Sequence, residues 1–261
     1  PSVGVTGILS ELFELGEKVT FAKLRASYAE VGNGFAVDAI NPNRRILFGG
    51  GISSLNPLEP FPGTNPEPER QRSFEFGTEW RFNDNRIGID IGYYRTSTIN
   101  QYFAVPVSLS VNVGSGFAGL NSGDILNSGV EVTVFAKPIL NDNFKWTTTV
   151  NFATNKNEVK KLIDVDIDGV ISLDNHVISP KGVNTFGSYL VEGGSFGDIY
   201  AQVIKRDANG LPIYDSGAFV AEDSNLVDGL TKVGNANPDF TLGWNNSFEY
   251  KNFTLDFLVD G

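Results

Sequence analysis

The sequence predicts an all-β fold, an antiparallel transmembrane β-barrel present as about eight strands with long extracellular loops. Three observations predict it. The strands keep a period of two, with one oily and one polar face. Most are about nine to twelve residues long, which at about 3.3 Å per residue and a tilt near 45° covers the ~25 Å apolar band of an outer membrane, whereas strands in soluble sheets average about five or six. Short and long connections alternate along the chain, the asymmetry of bacterial outer-membrane barrels with their short periplasmic turns and long extracellular loops.

In chain order, the first strand covers Ser2 to Leu9, and Ser10 to Val19 leads on through Glu11, Leu12, Phe13 and Leu15, a spacing that suits a helical turn. The second strand covers Thr20 to Val31 and opens into a long excursion, Gly32 to Arg72. The clearest hairpin follows. In Ser73 to Phe82, Phe74, Phe76, Thr78, Trp80 and Phe82 share one face while Ser73, Glu75, Gly77, Glu79 and Arg81 share the other. After the turn Asn83-Asp84-Asn85-Arg86, the strand from Ile87 to Ser97 alternates Ile87, Ile89, Ile91 and Tyr93 with Gly88, Asp90, Gly92 and Tyr94. A second excursion, Thr98 to Ser128, precedes the strand Gly129 to Lys137, where Val130, Val132, Val134 and Ala136 form the oily row. Phe135 is an inward exception there and calls for a partner inside the barrel, such as a plug. Pro138 to Asn143 is a tight turn into Phe144 to Asn155, the third excursion runs from Lys156 to Asp239, and Phe240 to Tyr250 and Phe253 to Asp260 form a last hairpin about Lys251-Asn252.

The oily rows hold almost no charge, as lipid requires, because a Lys or Arg at mid-membrane costs about 2 to 4 kcal/mol. Trp80, Phe82, Phe144, Trp146, Phe248, Tyr250 and Phe253 all lie close to a short turn, which fits an aromatic girdle at headgroup depth. No run approaches the eighteen apolar residues of a helical span, and the mean hydropathy of -0.11 is what alternating strands average to.

Composition narrows the chemistry. With Cys 0 and His 1, thiolate catalysis, cysteine-ligated metals, a Ser-His-Asp triad and multi-histidine zinc are disfavoured. A formal net charge of -11 without any Lys/Arg cluster along the sequence argues against nucleic acid. The sharpest chemical motif is Asp164-Val165-Asp166-Ile167-Asp168-Gly169, which has the acid spacing of a calcium loop, yet Asn175 stands where a bidentate glutamate is needed and the pattern equally describes an extended strand. Glu67 with Glu69, and Glu222 with Asp223, are read as solvated loop acids rather than a glycosidase pair. Asn209-Gly210 and Asp228-Gly229 mark turns, and Gly114-Ser115-Gly116 a flexible loop. The loop aromatics Tyr102, Phe103, Phe117, Phe186, Tyr189, Phe196, Tyr200 and Tyr214 either stack on sugar rings, cover a bound partner or pack the loops on themselves. No catalytic, cofactor-binding or metal-ligating residue is assigned, and no enzyme is expected.

Six blocks of sequence carry a family resemblance: Phe21 to Asn33 (FAKLRASYAEVGN), Asn65 to Thr98, Asn127 to Ile139 (NSGVEVTVFAKPI), Phe144 to Val159, Val191 to Val203 (VEGGSFGDIYAQV) and Lys232 to Asp260. In that order they resemble the C-terminal part of the barrel of SusC-like (SusC/RagA) TonB-dependent outer-membrane transporters of the Bacteroidetes type. The resemblance implies a parent barrel of about twenty-two strands in the bacterial outer membrane, with an N-terminal plug absent from this chain. It also implies energisation by TonB, a SusD-like surface lipoprotein as partner, and glycan fragments or peptides as ligands. Residues 1–261 are then part of one barrel domain, with loops at 32–72, 98–128 and 156–239. The long segment Lys156 to Asp239, with Gly193, Gly194 and Gly197, is the best candidate for contact with a lipoprotein lid.

Two rival readings remain at this point, an outer-membrane barrel for protein secretion or adhesion, and a soluble sugar-binding β-sandwich whose oily rows meet a second sheet. A plug domain with a TonB box at the full-length N-terminus separates the first, a need for detergent on extraction separates the second, and intact mass spectrometry of detergent-extracted, unproteolysed material comes first. A mass several-fold above 28.3 kDa with a lipoprotein companion is expected, and a mass near that value would favour a small self-closed barrel or a soluble domain.

Overall fold

The computed structural model describes residues 1–34, 45–47, 51–53, 60–61, 64–106, 117–162, 177–178, 186–222 and 230–261. Eight strands pair antiparallel in chain order: β1 (Ser2–Ile8), β2 (Val19–Asn33), β3 (Glu69–Phe82), β4 (Ile87–Pro106), β5 (Phe117–Leu140), β6 (Phe144–Lys161), β7 (Thr241–Tyr250) and β8 (Phe253–Asp260). The sheet is open, with β1 and β8 as its edges. A one-turn helix, Leu9–Leu12, sits between β1 and β2 where the sequence suggests a helical turn.

The short connections lie at one end because their residues tolerate tight geometry. Asn83, Asp84 and Asn85 take φ of 51, 53 and 62° in succession, a left-handed conformation that Asn and Asp adopt more readily than other side chains. The Asn141 side chain accepts hydrogen bonds from the backbone N–H of Asn143 (3.0 Å) and Phe144 (2.8 Å), closing the β5–β6 turn. Neighbouring turns are tied together by backbone bonds, Asn83 N–H to Lys18 C=O (3.0 Å), Lys137 to Arg86 (2.7 Å) and Lys251 to Asn143 (3.1 Å).

Register brings the oily residues into continuous rows, as in Ala26, Phe76, Tyr93 and Val130, or Thr78, Ile91, Val132, Phe152 and Leu242. The polar residues within these rows have a reason. Each of the 3 tryptophans donates its indole N–H to a neighbour on the same face: Trp80 to Thr78 (2.7 Å), Trp146 to Asn246 (3.1 Å) and Trp244 to Thr148 (2.9 Å). Thr78, Thr148 and Asn246 thus satisfy the indole N–H groups from within the sheet. Trp146, Phe248 and Phe257 stack above Asn246 with centroids 5.7 and 6.0 Å apart, leaving that amide 1% exposed.

The opposite face is built on glycine. Arg25 reaches across β3 to Asp90 over Gly77, and a Cβ on Gly77 would occupy the space of its guanidinium. Phe135 lies over Gly88, its register partner. The bare backbone of the adjoining strand thus receives one side of the inward phenyl ring.

The greatest departure from expectation is above the membrane. β4 continues to Pro106 and β5 starts at Phe117, so much of the 98–128 excursion is paired strand. Its polar and small residues, broken by a left-handed Asn100 (φ 59°) and register shifts between Thr98 and Tyr102, hide the period-two signal. At about 3.3 Å per residue β5 spans about 80 Å, far beyond the ~25 Å apolar band.

Gly77→Val should cost about 1–3 kcal/mol by overpacking, whereas Gly7→Val on β1, whose Cβ meets nothing within 4 Å, should be tolerated. The temperature at which the full-length barrel loses its compact electrophoretic mobility measures both; equal shifts would refute the glycine argument.

Candidate functional site

Two surfaces carry the polar groups that could meet a ligand. The first is the inward wall. Lys23 Nζ donates to Glu79 at 2.6 Å, Arg81 donates to the same carboxylate at 2.6 and 2.9 Å, and Arg25 forms a bidentate pair with Asp90 at 2.7 and 2.8 Å. The Phe21 ring lies 5.8 Å from the Lys23 ammonium and 5.2 Å from the Arg81 guanidinium, within cation–π range. These side chains hold each other near the short-turn end and leave little conformational freedom there. Higher on the wall, Glu75, Tyr94, Glu131 and Gly92 join Arg25 around a concavity of about 420 Å³. Tyr94 donates across Gly129 to Asn155 (3.1 Å).

The second surface is the rim. Where β7 stops pairing, β6 takes up backbone bonds from the 191–198 segment, Val159 N–H to Gly194 C=O and Gly193 N–H to Val159 C=O, both 2.8 Å. This segment is organised around Asp198, 1% exposed. Its carboxylate accepts Lys232 Nζ at 2.6 Å, Asn235 Nδ2 at 2.7 Å and the Ser195 backbone N–H at 2.9 Å. Burial pushes the Asp198 carboxyl up, but the bonds from Lys232, Ser195 and Asn235 together hold it below the usual value of 3.8. Gly194 and Gly197 permit the close approach, since a Cβ at either would press on Asp198 or on Asn235 and Asn237. Behind the lock, Tyr189, Val191, Tyr200 and Leu230 form a small core. In front of it, Asn155, Asn157, Lys232, Asn235, Asn237 and Asp239 border a hollow of about 500 Å³. Amide donors and acceptors around such a hollow match sugar hydroxyls or peptide backbone equally well.

The β4–β5 extension is braced to the preceding segment. Asn121 accepts the Glu67 backbone N–H (2.8 Å) and donates to the carbonyls of Glu67 (2.8 Å) and Asn100 (2.7 Å), and Glu69 accepts the Tyr102 backbone N–H (3.0 Å). Burial pushes the Tyr102 phenol up to about 12, so it stays protonated.

The residues singled out by sequence divide accordingly. Tyr189 and Tyr200 meet edge to face at 5.9 Å in the small core, Tyr102 covers Gly119, and Phe103 covers Gly123 with Phe196 6.4 Å away. Phe186, Phe196 and Tyr214 are exposed. Glu67 and Glu69 serve as braces rather than an acid pair, and Asn209-Gly210 is a turn, closed by the Asp207 carboxylate. Asp164, Asp166 and Asp168, with Asp223, Asp228 and Gly114 to Gly116, lie outside the described residues; among those described, no three His, Cys, Asp or Glu groups could hold a metal. Asp198 and its partners were not foreseen. The signal was an acid placed directly after three glycines in six residues, Gly193 to Asp198.

An antiparallel meander with one lipid-matched face, one polar face, short turns at one end and tall loops at the other defines a wall segment of an outer-membrane barrel. The chain belongs to the TonB dependent receptor-like β-barrel family, whose model matches residues 1–260. It is 28% identical over 263 residues to TonB-dependent receptor P3 of Formosa agariphila, covering 92% of this chain and 25% of that one. It is 28% identical over 214 residues to the TonB-dependent receptor SusC of Bacteroides thetaiotaomicron, covering 77% of this chain and 21% of SusC. The chain thus spans about a quarter of the length of these relatives. The solved RagAB peptide transporter superposes with a TM-score of 0.71 at 18% identity, over 99% of this chain and 28% of that one, and the RagAB peptide importer in its closed-closed state with 0.70 at 19%; these likenesses show the fold. The family is SusC-like and its barrels reside in the bacterial outer membrane.

Asp198→Ala should strip Lys232, Asn235 and the Ser195 N–H of their acceptor and cost about 1–3 kcal/mol of local stability. Hydrogen exchange of the full-length protein should show faster exchange in 195–198 and 231–235 with the barrel strands unchanged; unchanged loops would refute the lock. Because the folded carboxyl titrates below its ordinary value, its contribution is complete above 3.8 and is lost as pH falls through the lower folded value. Protection of these loops should therefore decline only in that acid range.

Proposed function

We propose that this chain is the C-terminal part of a transporter that imports oligomeric nutrients, glycan fragments or peptides, across the outer membrane. The observation that carries the reading is the family match along the whole chain, with relatives named as TonB-dependent receptors. The named RagAB structures favour peptides as one ligand class, and glycan fragments follow from the SusC-like resemblance. The chain's own contribution is an ion-paired wall around Lys23, Arg25, Glu79, Arg81 and Asp90, and above it an amide-rich rim.

In this reading the rim and a SusD-like lipoprotein lid capture the ligand. A plug elsewhere in the parent then rearranges when TonB, driven by the proton motive force, pulls on it. The exposed Phe186, Phe196 and Tyr214 offer flat apolar faces to sugar rings or to the lid. The residues described here bind and orient, and none is assigned a bond-making role.

Deleting the parent gene should abolish uptake of labelled oligosaccharide or peptide, and collapsing the proton motive force should leave surface binding but stop uptake. Uptake that survives either treatment would overturn the proposal, as would a full-length protein without a plug. Co-purification of a lipoprotein in mild detergent tests the lid.

A further inference from the structure

Among the described residues, the outward rows of the eight strands carry no Asp, Glu, Lys or Arg from the short turns up to the level of Phe74 and Tyr93. At that height cations begin. Arg95 on β4 stands opposite Phe74 on β3 and Ser128 on β5, and Ser128 stands opposite Lys156 on β6. On β3, Arg72 stands opposite Ser97, and Arg70 opposite Ile99. All four share the face of the apolar rows, although Lys156 also borders the rim hollow.

These cations outnumber the acids beside them: Arg70 and Arg72 share Glu30, and Lys156 shares Glu158 with Lys160. Glu30 lies 3.6 Å from Arg72 and 4.0 Å from Arg70, longer than a hydrogen bond, and the two arginine side chains remain 46% and 58% exposed. Arg95 and Lys156 are exposed and make no direct ion pair among the described residues. The cluster runs against the composition, since the chain has a formal net charge of -11.

Height fixes what can sit there. From Ile87 to Arg95 a strand at a 45° tilt climbs about 19 Å, so Arg95 lies near the top of the ~25 Å apolar band, with Arg72 and Arg70 in the headgroup layer. Because the long loops mark the extracellular end, that layer belongs to the outer leaflet. Arg72 is diagonal to Arg95, about 7–8 Å away, and Lys156 lies two strands over, about 10 Å away. Arginine forks suit phosphate oxygens, and Tyr28, Phe74 and Tyr93, exposed just below, offer apolar surface to the attached acyl chains.

We propose that Arg70, Arg72, Arg95 and Lys156 form a docking band for the phosphorylated headgroup of an outer-leaflet lipid. Arg70, Arg72 and Arg95 act from outside the barrel, whereas Lys156 is shared with the rim hollow.

The test is native mass spectrometry of the full-length protein in nonionic detergent, titrated with a phosphorylated lipid A and with the same lipid after enzymatic dephosphorylation. The wild type should retain the phosphorylated form at least about tenfold better. Arg72→Gln combined with Arg95→Gln should lose that preference while keeping heat-modifiable mobility, and Arg72→Lys with Arg95→Lys should keep most of it. Equal retention of the two lipids by wild type overturns the proposal without need of any variant. So does a preference unchanged in the glutamine variant. Displacement of the lipid by millimolar inorganic phosphate would mark a site for free anions and overturn it too.

Discussion

Everything in this structure follows from the absence of water beside a lipid-facing backbone. An unpaired N–H or C=O there costs several kcal/mol, so the chain can cross only as strands that pair with their neighbours. The eight-stranded meander meets that demand internally from β1 to β8 and leaves it unmet only along its two edges. The same rule reaches the side chains. Thr78, Thr148 and Asn246 stand in oily rows, and each accepts an indole N–H from its own face of the sheet.

Freed from that rule, the inward face solves a different problem, how to crowd charge onto a curved wall without filling the passage. Its answer is to lay long side chains flat over glycine. Arg25 crosses Gly77 to reach Asp90, Phe135 rests on Gly88, and Tyr94 spans Gly129 to Asn155. Substituting the glycine and shortening the side chain are therefore coupled changes, since the added Cβ would occupy the space the side chain now fills.

The membrane-embedded part of the fold was legible because period two, turn chemistry and charge exclusion agree there. Phe74 to Phe82 against Ile87 to Tyr93 needed no further information, and Asn83-Asp84-Asn85 announced its turn. Legibility ended where lipid ends. Above it, Thr98 to Pro106 and Phe117 to Ser128 remain strands, but their apolar row, Phe103 opposite Leu120 and Val105 opposite Ala118, is short, and a bulge at Asn100 breaks the count. The rim was harder still, for a different reason. Asp198 is far in sequence from Lys232 and Asn235 and meets them only through tertiary pairing of 198–201 with 231–235. Loop aromatics were visible as a class, but whether each packs inward like Tyr189 or stands free like Phe186 depends on contacts that a single sequence does not encode locally.

The extension of β4 and β5 has a mechanical consequence. It is a cantilever rooted in the barrel wall, notched at its base by the left-handed Asn100, where two register shifts interrupt the ladder. Asn121 guys that notch to the backbone of Glu67, and Glu69 guys it to Tyr102. A load applied at the tip is delivered to those stays, at the segment that enters β3, before it reaches the part of the wall held by lipid. Up to Pro106 and Phe117 the extension is thereby a paired ladder with its stays at the base, so bending is resisted first at the root.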